Sequence, residues 1–181
     1  MRTCTALILV AVHFAVGCEA NSTPTQGTPV QLERVSFDLP TGWQQVPPSS
    51  SMRVAQASIP GPGGAAEMAV FHFGAGQGGD VEANLQRWIN QVELEPGSAV
   101  QRESFESNGM RVTWVDVRGM LKPGQMGMGP STPQPNSRLL GAVVEGDGGP
   151  WFFKATGTDA TLAPQRDAFL AMLHTMKPRL R

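Results

Sequence analysis

Residues 71–88, "FHFGAGQGGDVEANLQRW", settle whether the sheet is parallel or antiparallel. An apolar run leads into Gly74-x-Gly76-x-x-Gly79 and a helical pattern follows. That is the outline of a dinucleotide-binding turn, which opens a parallel, doubly wound sheet. Three features point the other way. Asp80 follows Gly79 directly and suits a helix N-cap, so a carboxylate would stand where a pyrophosphate must sit. In a dinucleotide turn the last glycine lies inside the first helical turn, whereas Gly79 precedes the cap. The acidic residue about 20 positions on should end a second parallel strand. Glu93 and Glu95 follow the helix too closely for that. The glycines therefore make a tight strand-to-helix connection, and no nucleotide is expected.

The helix itself is well marked. Val81, Leu85, Trp88, Ile89 and Val92 fall at i, i+4, i+7, i+8 and i+11, a single apolar stripe. Glu82 suits the positive helix end. Upstream, "VSFDLP" (35–40) alternates Val35, Phe37 and Leu39 and ends in a Pro-Thr-Gly turn before Trp43. "MRVAQASIP" (52–60) offers Val54, Ala55 and Ile59 to a core, and "GPGG" (61–64) turns the chain into "AEMAVFHF" (66–73). That last run is apolar on both faces, as in a central, covered strand. Downstream, 100–107 and 110–119 flank Asn108-Gly109, a strong hairpin signal. Residues 137–145 and 150–157 flank Gly146-Asp147-Gly148-Gly149. A last helix carries Leu162, Phe169, Leu170, Leu173 and Met176 on one side, with Pro164 in its first turn. The pattern predicts an α+β domain: a largely antiparallel β-sheet with helices packed on it.

Composition agrees. The 181 residues suit one domain with its own core, and 21 Gly and 15 Pro favour a loop-rich, β-containing fold. Only 16% of residues are charged, and the formal net charge is −1. Loss of residues 1–17 would remove Arg2 alone from 14 basic residues, leaving 13 against 15 acidic. No basic field attracts nucleic acid.

Residues 1–18, "MRTCTALILVAVHFAVGC", start with Arg2 and continue in an apolar stretch, Ala6 to Val16. The stretch is far shorter than the roughly 20 residues needed to cross a bilayer, and has the flanks of an export signal. Its end, Ala15-Val16-Gly17-Cys18, resembles the lipobox of bacterial lipoproteins. That resemblance implies a signal peptide over 1–17 and a lipid-bearing Cys18, an ordinary secretory signal being the alternative. Cys4 and Cys18 are the cysteines, so removal of the signal leaves Cys18 with no disulfide partner. A thioether to diacylglycerol would remove that free thiol. Each buried CH₂ contributes about 0.8 kcal/mol, so two or three chains anchor firmly. The polar, Pro-bearing residues after Cys18 extend the expectation to a flexible tether over 18–32 and a single domain over 33–181.

Leu39-Pro40-x-Gly42-Trp43, one helix mid-chain and one closing the chain are similar to the PsbP-like fold. That fold occurs in the photosystem II protein PsbP, the Ran-binding Mog protein and many bacterial envelope lipoproteins. Ser51-Met52-Arg53, Gly76-Gln77-Gly78-Gly79, Arg87-Trp88, Gly141-Ala142-Val143-Val144-Glu145 and Phe152-Phe153-Lys154 resemble an uncharacterised lipoprotein group with it. The resemblance spans about Val35 to Met176 and implies an α/β/α sandwich. It brings no catalytic motif, and fold alone does not fix function.

Chemistry-bearing residues are sparse. His72 lies in a strand and His174 near a helix end, each read as structural. No Gly-x-Ser-x-Gly elbow and no His/Asp/Glu cluster at zinc spacing occurs, so no catalytic residue and no cofactor are expected. The segment 119–137, "GMLKPGQMGMGPSTPQPNS", reads as a long loop carrying Met120, Gln125, Met126 and Met128. Met126 and Met128 are candidates for Cu(I), since thioethers are soft ligands. Adaptable methionines equally suit a recognition surface. Arg53, Arg87 and Trp88 join that candidate surface, with Arg87 free to pair with Glu67 or Glu95. The leading expectation is a non-enzymatic binding or assembly module in a bacterial envelope. Lipid on Cys18 ties it to a membrane, and a protein is its partner. A Cu(I)-handling lipoprotein and a hydrolase with a dispersed site are the alternatives.

Overall fold

A computed structural model describes residues 27–124 and 130–179. Cys18, the signal and the first part of the tether lie outside the described residues, as do Gln125, Met126 and Met128. The first strands are β1 (Thr28–Gln31), β2 (Val35–Leu39), β3 (Gln44–Val46), β4 (Arg53–Ile59) and β5 (Ala66–His72). Helix α1 (Val81–Ile89) and β6 (Val92–Leu94) follow. Then come β7 (Gln101–Ser107), β8 (Met110–Leu121), β9 (Gln134–Glu145) and β10 (Trp151–Thr158). The chain closes through α2 (Asp159–Leu162), a 3₁₀ turn, α3 (Arg166–His174) and β11 (Lys177–Pro178).

These strands form an α+β fold with two antiparallel sheets. The large sheet runs β3-β4-β5-β10-β9-β8-β6, with β7 beside β6 along the same edge of β8. The small sheet is β1-β2-β11. Asn108 and Gly109 have φ of 48° and 79°, as a two-residue turn of matching twist requires, and they join β7 to β8.

Alternation along the strands builds a core on each face of the large sheet. Val112, Trp114, Leu140, Phe153, Met68 and Val70 turn to one side. There they meet Phe37 and Leu39 of the small sheet and Phe169 and Leu173 of α3. The rings of Phe37 and Phe153 cross edge to face at 5.3 Å. The Pro-Thr-Gly turn holds Trp43 against this layer, its indole N–H donating to Gln165 Oε1 at 2.8 Å. On the other side Val115, Val117, Leu139, Val143 and Phe152 meet Leu85 and Trp88 of α1. Gly141 lets that helix sit directly on the sheet: a Cβ there would lie 2.5 Å from the Trp88 ring.

The connection through the glycines is as the sequence suggests. Asp80 caps α1, its Oδ1 accepting from the Ala83 N–H at 3.0 Å. Asn84, buried beneath, donates from Nδ2 to the carbonyls of Gly78 (2.8 Å) and Asp80 (2.9 Å) and pins the loop to the helix. Replacing Asp80 by Ala should lower stability by about 1 kcal/mol in urea unfolding, while Asn should cost only a few tenths.

Several expectations change. Strand β1 lies within the stretch assigned to the tether; Val30 is buried in the core, so the fold is under way by residue 28. Val54 leaves the core because the ladder slips between Arg53 and Ala55, and a bulged residue drops out of the alternation. Helix α1 ends at Ile89, and Val92 begins a strand antiparallel to β8 while keeping its place in the same core. The loop expected over 119–137 is shorter, because β8 runs on to Leu121 and β9 starts at Gln134. The closing helix is broken at Pro164 into two helices and a 3₁₀ turn, since proline withholds a backbone N–H.

Candidate functional site

Helix α1 reaches β8, β9 and Phe152 of β10. Beyond it, the β4 and β5 end of the same sheet face carries polar side chains, half-exposed at Arg53, Ser58 and Glu67 and buried at Gln56. Register places them in rows across the strands. One row is Arg53, Phe71 and Phe152; the next is Gln56, Ala69, Lys154 and Gly141; the third is Ser58, Glu67 and Thr156. Lys154 stands between Ala69, which carries only a methyl, and Gly141, which Trp88 covers, so the trough lies on its Ala69 side.

The polar groups interlock. Arg53 Nη1 lies 2.7 Å from Glu67 Oε1, and Gln56 Nε2 donates to Glu67 Oε2 at 2.8 Å. The backbone N–H of Ser49 donates to Gln56 Oε1 at 2.8 Å, which fixes the amide. Lys154 Nζ donates to the neutral Gln91 Oε1. Burial, reinforced by the positive charge of Arg53 and opposed by Glu67, lowers the Lys154 pKa from 10.5 to about 8. An unfolded lysine keeps its proton to about pH 10.5, so between about 8 and 10.5 the unfolded chain binds more protons and stability rises with pH. Below about 8 both forms are charged and a constant penalty remains. Lys154→Met should therefore be more stable than the parent at pH 7, by about 1–2 kcal/mol once the lost Gln91 hydrogen bond is counted. It should also lose the upward slope, as urea titrations at pH 7, 9 and 11 would show.

An aromatic group borders the trough. Phe71 is half-buried and Phe73 is 46% exposed, the two rings stacking at 6.4 Å. Met52 and Val54, on either side of Arg53 in sequence, are also exposed.

Of the residues singled out from sequence, Arg53 belongs to this cluster. Trp88 does not belong to a recognition surface: it is buried under α1, edge-on to Phe152 at 6.4 Å. Arg87 is exposed and pairs with neither expected acid, because Arg53 takes Glu67 and Arg118 takes Glu95 at 3.3 Å. Met120 is half-buried in β8, opposite Glu93 of β6. It is four strands from Arg53, roughly 19 Å across the sheet, so the two do not share a patch. Lys154, Gln56 and Gln91 belong to no catalytic or binding motif in the sequence and are brought together by the fold. A lysine inside the apolar run "WFFKA" (151–155) of a central strand was the available signal.

A second charged group lies on the opposite face. Asp116, 3% exposed, accepts from Arg138 Nε (2.7 Å) and Nη2 (2.6 Å), with Arg166 Nε at 3.3 Å. Arg138 also donates to Asp159 at 2.9 Å, and hydrogen bonding to Asp116 raises its pKa further. Arg166 stacks over Trp114 at 4.9 Å. Each acid here is matched by arginine, which makes the network a clamp between sheet and C-terminal helices.

A cleft of about 400 Å³ separates the glycine loop from the 146–149 turn and is lined by Gly76, Gln77, Asp80, Glu145 and Gly149. Its carboxylates suit no anion. His72 stacks on Trp151 at 3.8 Å with Nδ1 3.1 Å from the Pro150 carbonyl, and His174 stacks on Phe105 at 4.0 Å. Among the described residues, no three His, Cys, Asp or Glu side chains gather as metal ligands, and no helix is long and apolar enough to cross a membrane.

No family model matches the chain, and no curated protein sequence matches it. Among solved structures it is similar to PA94 from Pseudomonas aeruginosa, a protein of unknown function. Identity is 16%, over 86% of this chain and 99% of that one, with a TM-score of 0.49.

Proposed function

We propose that this chain is a non-enzymatic binding or assembly module. In this reading a PsbP-like domain is held at a bacterial envelope membrane by lipid on Cys18, and it docks a protein partner. The observation that carries the reading is the β4–β5 end of the large sheet, where Arg53, Glu67 and Lys154 sit beside exposed Met52, Val54 and Phe73. A charged cluster rimmed by scattered apolar side chains suits a polypeptide that offers both kinds of group. The polar atoms there bond mainly to one another, and none forms a nucleophile–base pair.

The test uses the full chain expressed in bacteria with a photo-crosslinking residue at Phe73 or, as a control, at exposed Glu106. One discrete adduct from position 73, absent from position 106 and lost on Arg53→Glu, is expected. Equal labelling from both positions would overturn the docking surface. Mass spectrometry of the mature N-terminus should find diacylglycerol on Cys18; an unmodified terminus elsewhere would remove the anchor.

A further inference from the structure

Lys154 is a half-buried cation with no anion beside it. Among the described residues no carboxylate lies within ion-pair distance of its Nζ, and its bonded partner, Gln91, is neutral. The nearest acid, Glu67, has both oxygens engaged, one by Arg53 and one by Gln56. Two cations therefore share one carboxylate in a partly desolvated trough, leaving one positive charge uncompensated. Such a charge is costly in low dielectric and gains most from a ligand of opposite sign.

We propose, resting on the binding-module reading above, that the trough is a subsite for a carboxylate carried on an apolar or aromatic body. Lys154 and Arg53 hold the carboxylate, and Phe71 and Phe73 border the body that bears it. Trp88 fills the space over Gly141, so the approach to the ammonium is on the Ala69 side, where the neighbouring residue carries only a methyl. Arg53 offers a planar fork matched to two coplanar oxygens. A single negative charge balances the cluster. A phosphate, at −1.5 to −2, would overshoot it and crowd Glu67.

The charged groups facing Lys154 come from β4 (Arg53) and β5 (Glu67), with neutral Gln91 after α1, so its titration reports directly on what enters the trough. The experiment follows the Lys154 side-chain carbon resonance through a pH titration of the full chain, told apart from Lys122 and Lys177 by substitution. Benzoate is the probe, with benzyl alcohol and inorganic phosphate as comparisons.

Benzoate should saturate with a Kd of roughly 1–10 mM and raise the Lys154 midpoint by at least about half a unit. Benzyl alcohol should do neither, and phosphate should bind at least about fivefold more weakly. Lys154→Met should abolish benzoate binding, Arg53→Met should weaken it, and Glu67→Gln, which removes the competing anion, should tighten it. Circular dichroism checks that each variant is folded. Should Lys154→Met misfold, the Glu67→Gln and Arg53→Met responses still decide the matter. Benzoate binding unchanged by these variants, or no movement of the Lys154 midpoint, overturns the proposal. A cross-linked partner at Phe73 without a benzoate response removes the subsite and leaves the module. A benzoate response without a partner does the reverse.

Discussion

Asp116→Ala should cost about 3–5 kcal/mol, the largest effect of any single charge removal in this molecule. Asp116 is 3% exposed, and two arginines converge on it, Arg138 in a two-pronged contact and Arg166 through Nε. Alanine leaves both guanidinium groups half-buried, with Asp159 the remaining acid within reach of Arg138. Arg166 would then lean on Asp167, which is exposed, and on the Trp114 face. For a domain of this size the midpoint of thermal unfolding should fall by roughly 10 °C. Asp116→Asn should cost less, since the amide oxygen still accepts one bond. The informative partner is Asp116→Leu/Arg138→Met, which removes both charges. If the pair contributes mainly by satisfying itself, this double variant should sit close to the parent, far above Asp116→Ala. A double variant as unstable as the single would mean that the network fixes the helix position and does more than balance its own charges.

Gly141→Ala comes next, at about 2–3 kcal/mol. Position 141 lies in β9, between β8 and β10, and its backbone needs no special torsion. The objection to a side chain is contact: the new Cβ would meet the Trp88 ring at 2.5 and 2.9 Å and Val115 at 3.3 Å. The ring is buried and wedged edge-on against Phe152, so relief requires α1 to lift from the sheet. Trp88→Leu alone should also destabilise, by opening a cavity. Together the two should cost less than their sum by about 1–2 kcal/mol, because the methyl fills space that the smaller residue vacates. Strict additivity in urea unfolding would show that the glycine serves something other than the seating of α1.

These contrasts explain how much of the molecule was legible in its sequence. The start of α1 was, because Asp80 meets its partner three residues on and the test of a cap is local. The β7–β8 turn was, because Asn108-Gly109 needs only its own torsions. Strand ends were not. The segment 119–137 reads as a loop from Gly119 on, yet Gly119 lies within β8, where the Glu93 carbonyl presses so close that a Cβ would stand 2.0 Å away. A glycine marking close approach and a glycine ending a strand are the same letter. The Lys154 cluster was hidden for a related reason. Arg53, Glu67 and Gln91 arrive from two strands and the residue after a helix, and only the register across β4, β5 and β10 makes them neighbours. Trp88 and Arg87 stood side by side in sequence, and the helix sends one into the core and the other to solvent.

The small sheet sets β2 between β1 and β11, the first and last strands among the described residues. Arg179 fastens the arrangement: its backbone N–H donates to the Arg34 carbonyl at 2.7 Å and its guanidinium to the Leu32 carbonyl at 2.6 Å. A pull applied to the chain ahead of Thr28 would be felt at Arg179 as well. Both extremities should come loose in one event, so that trimming a few C-terminal residues quickens amide exchange in β1, far away along the chain.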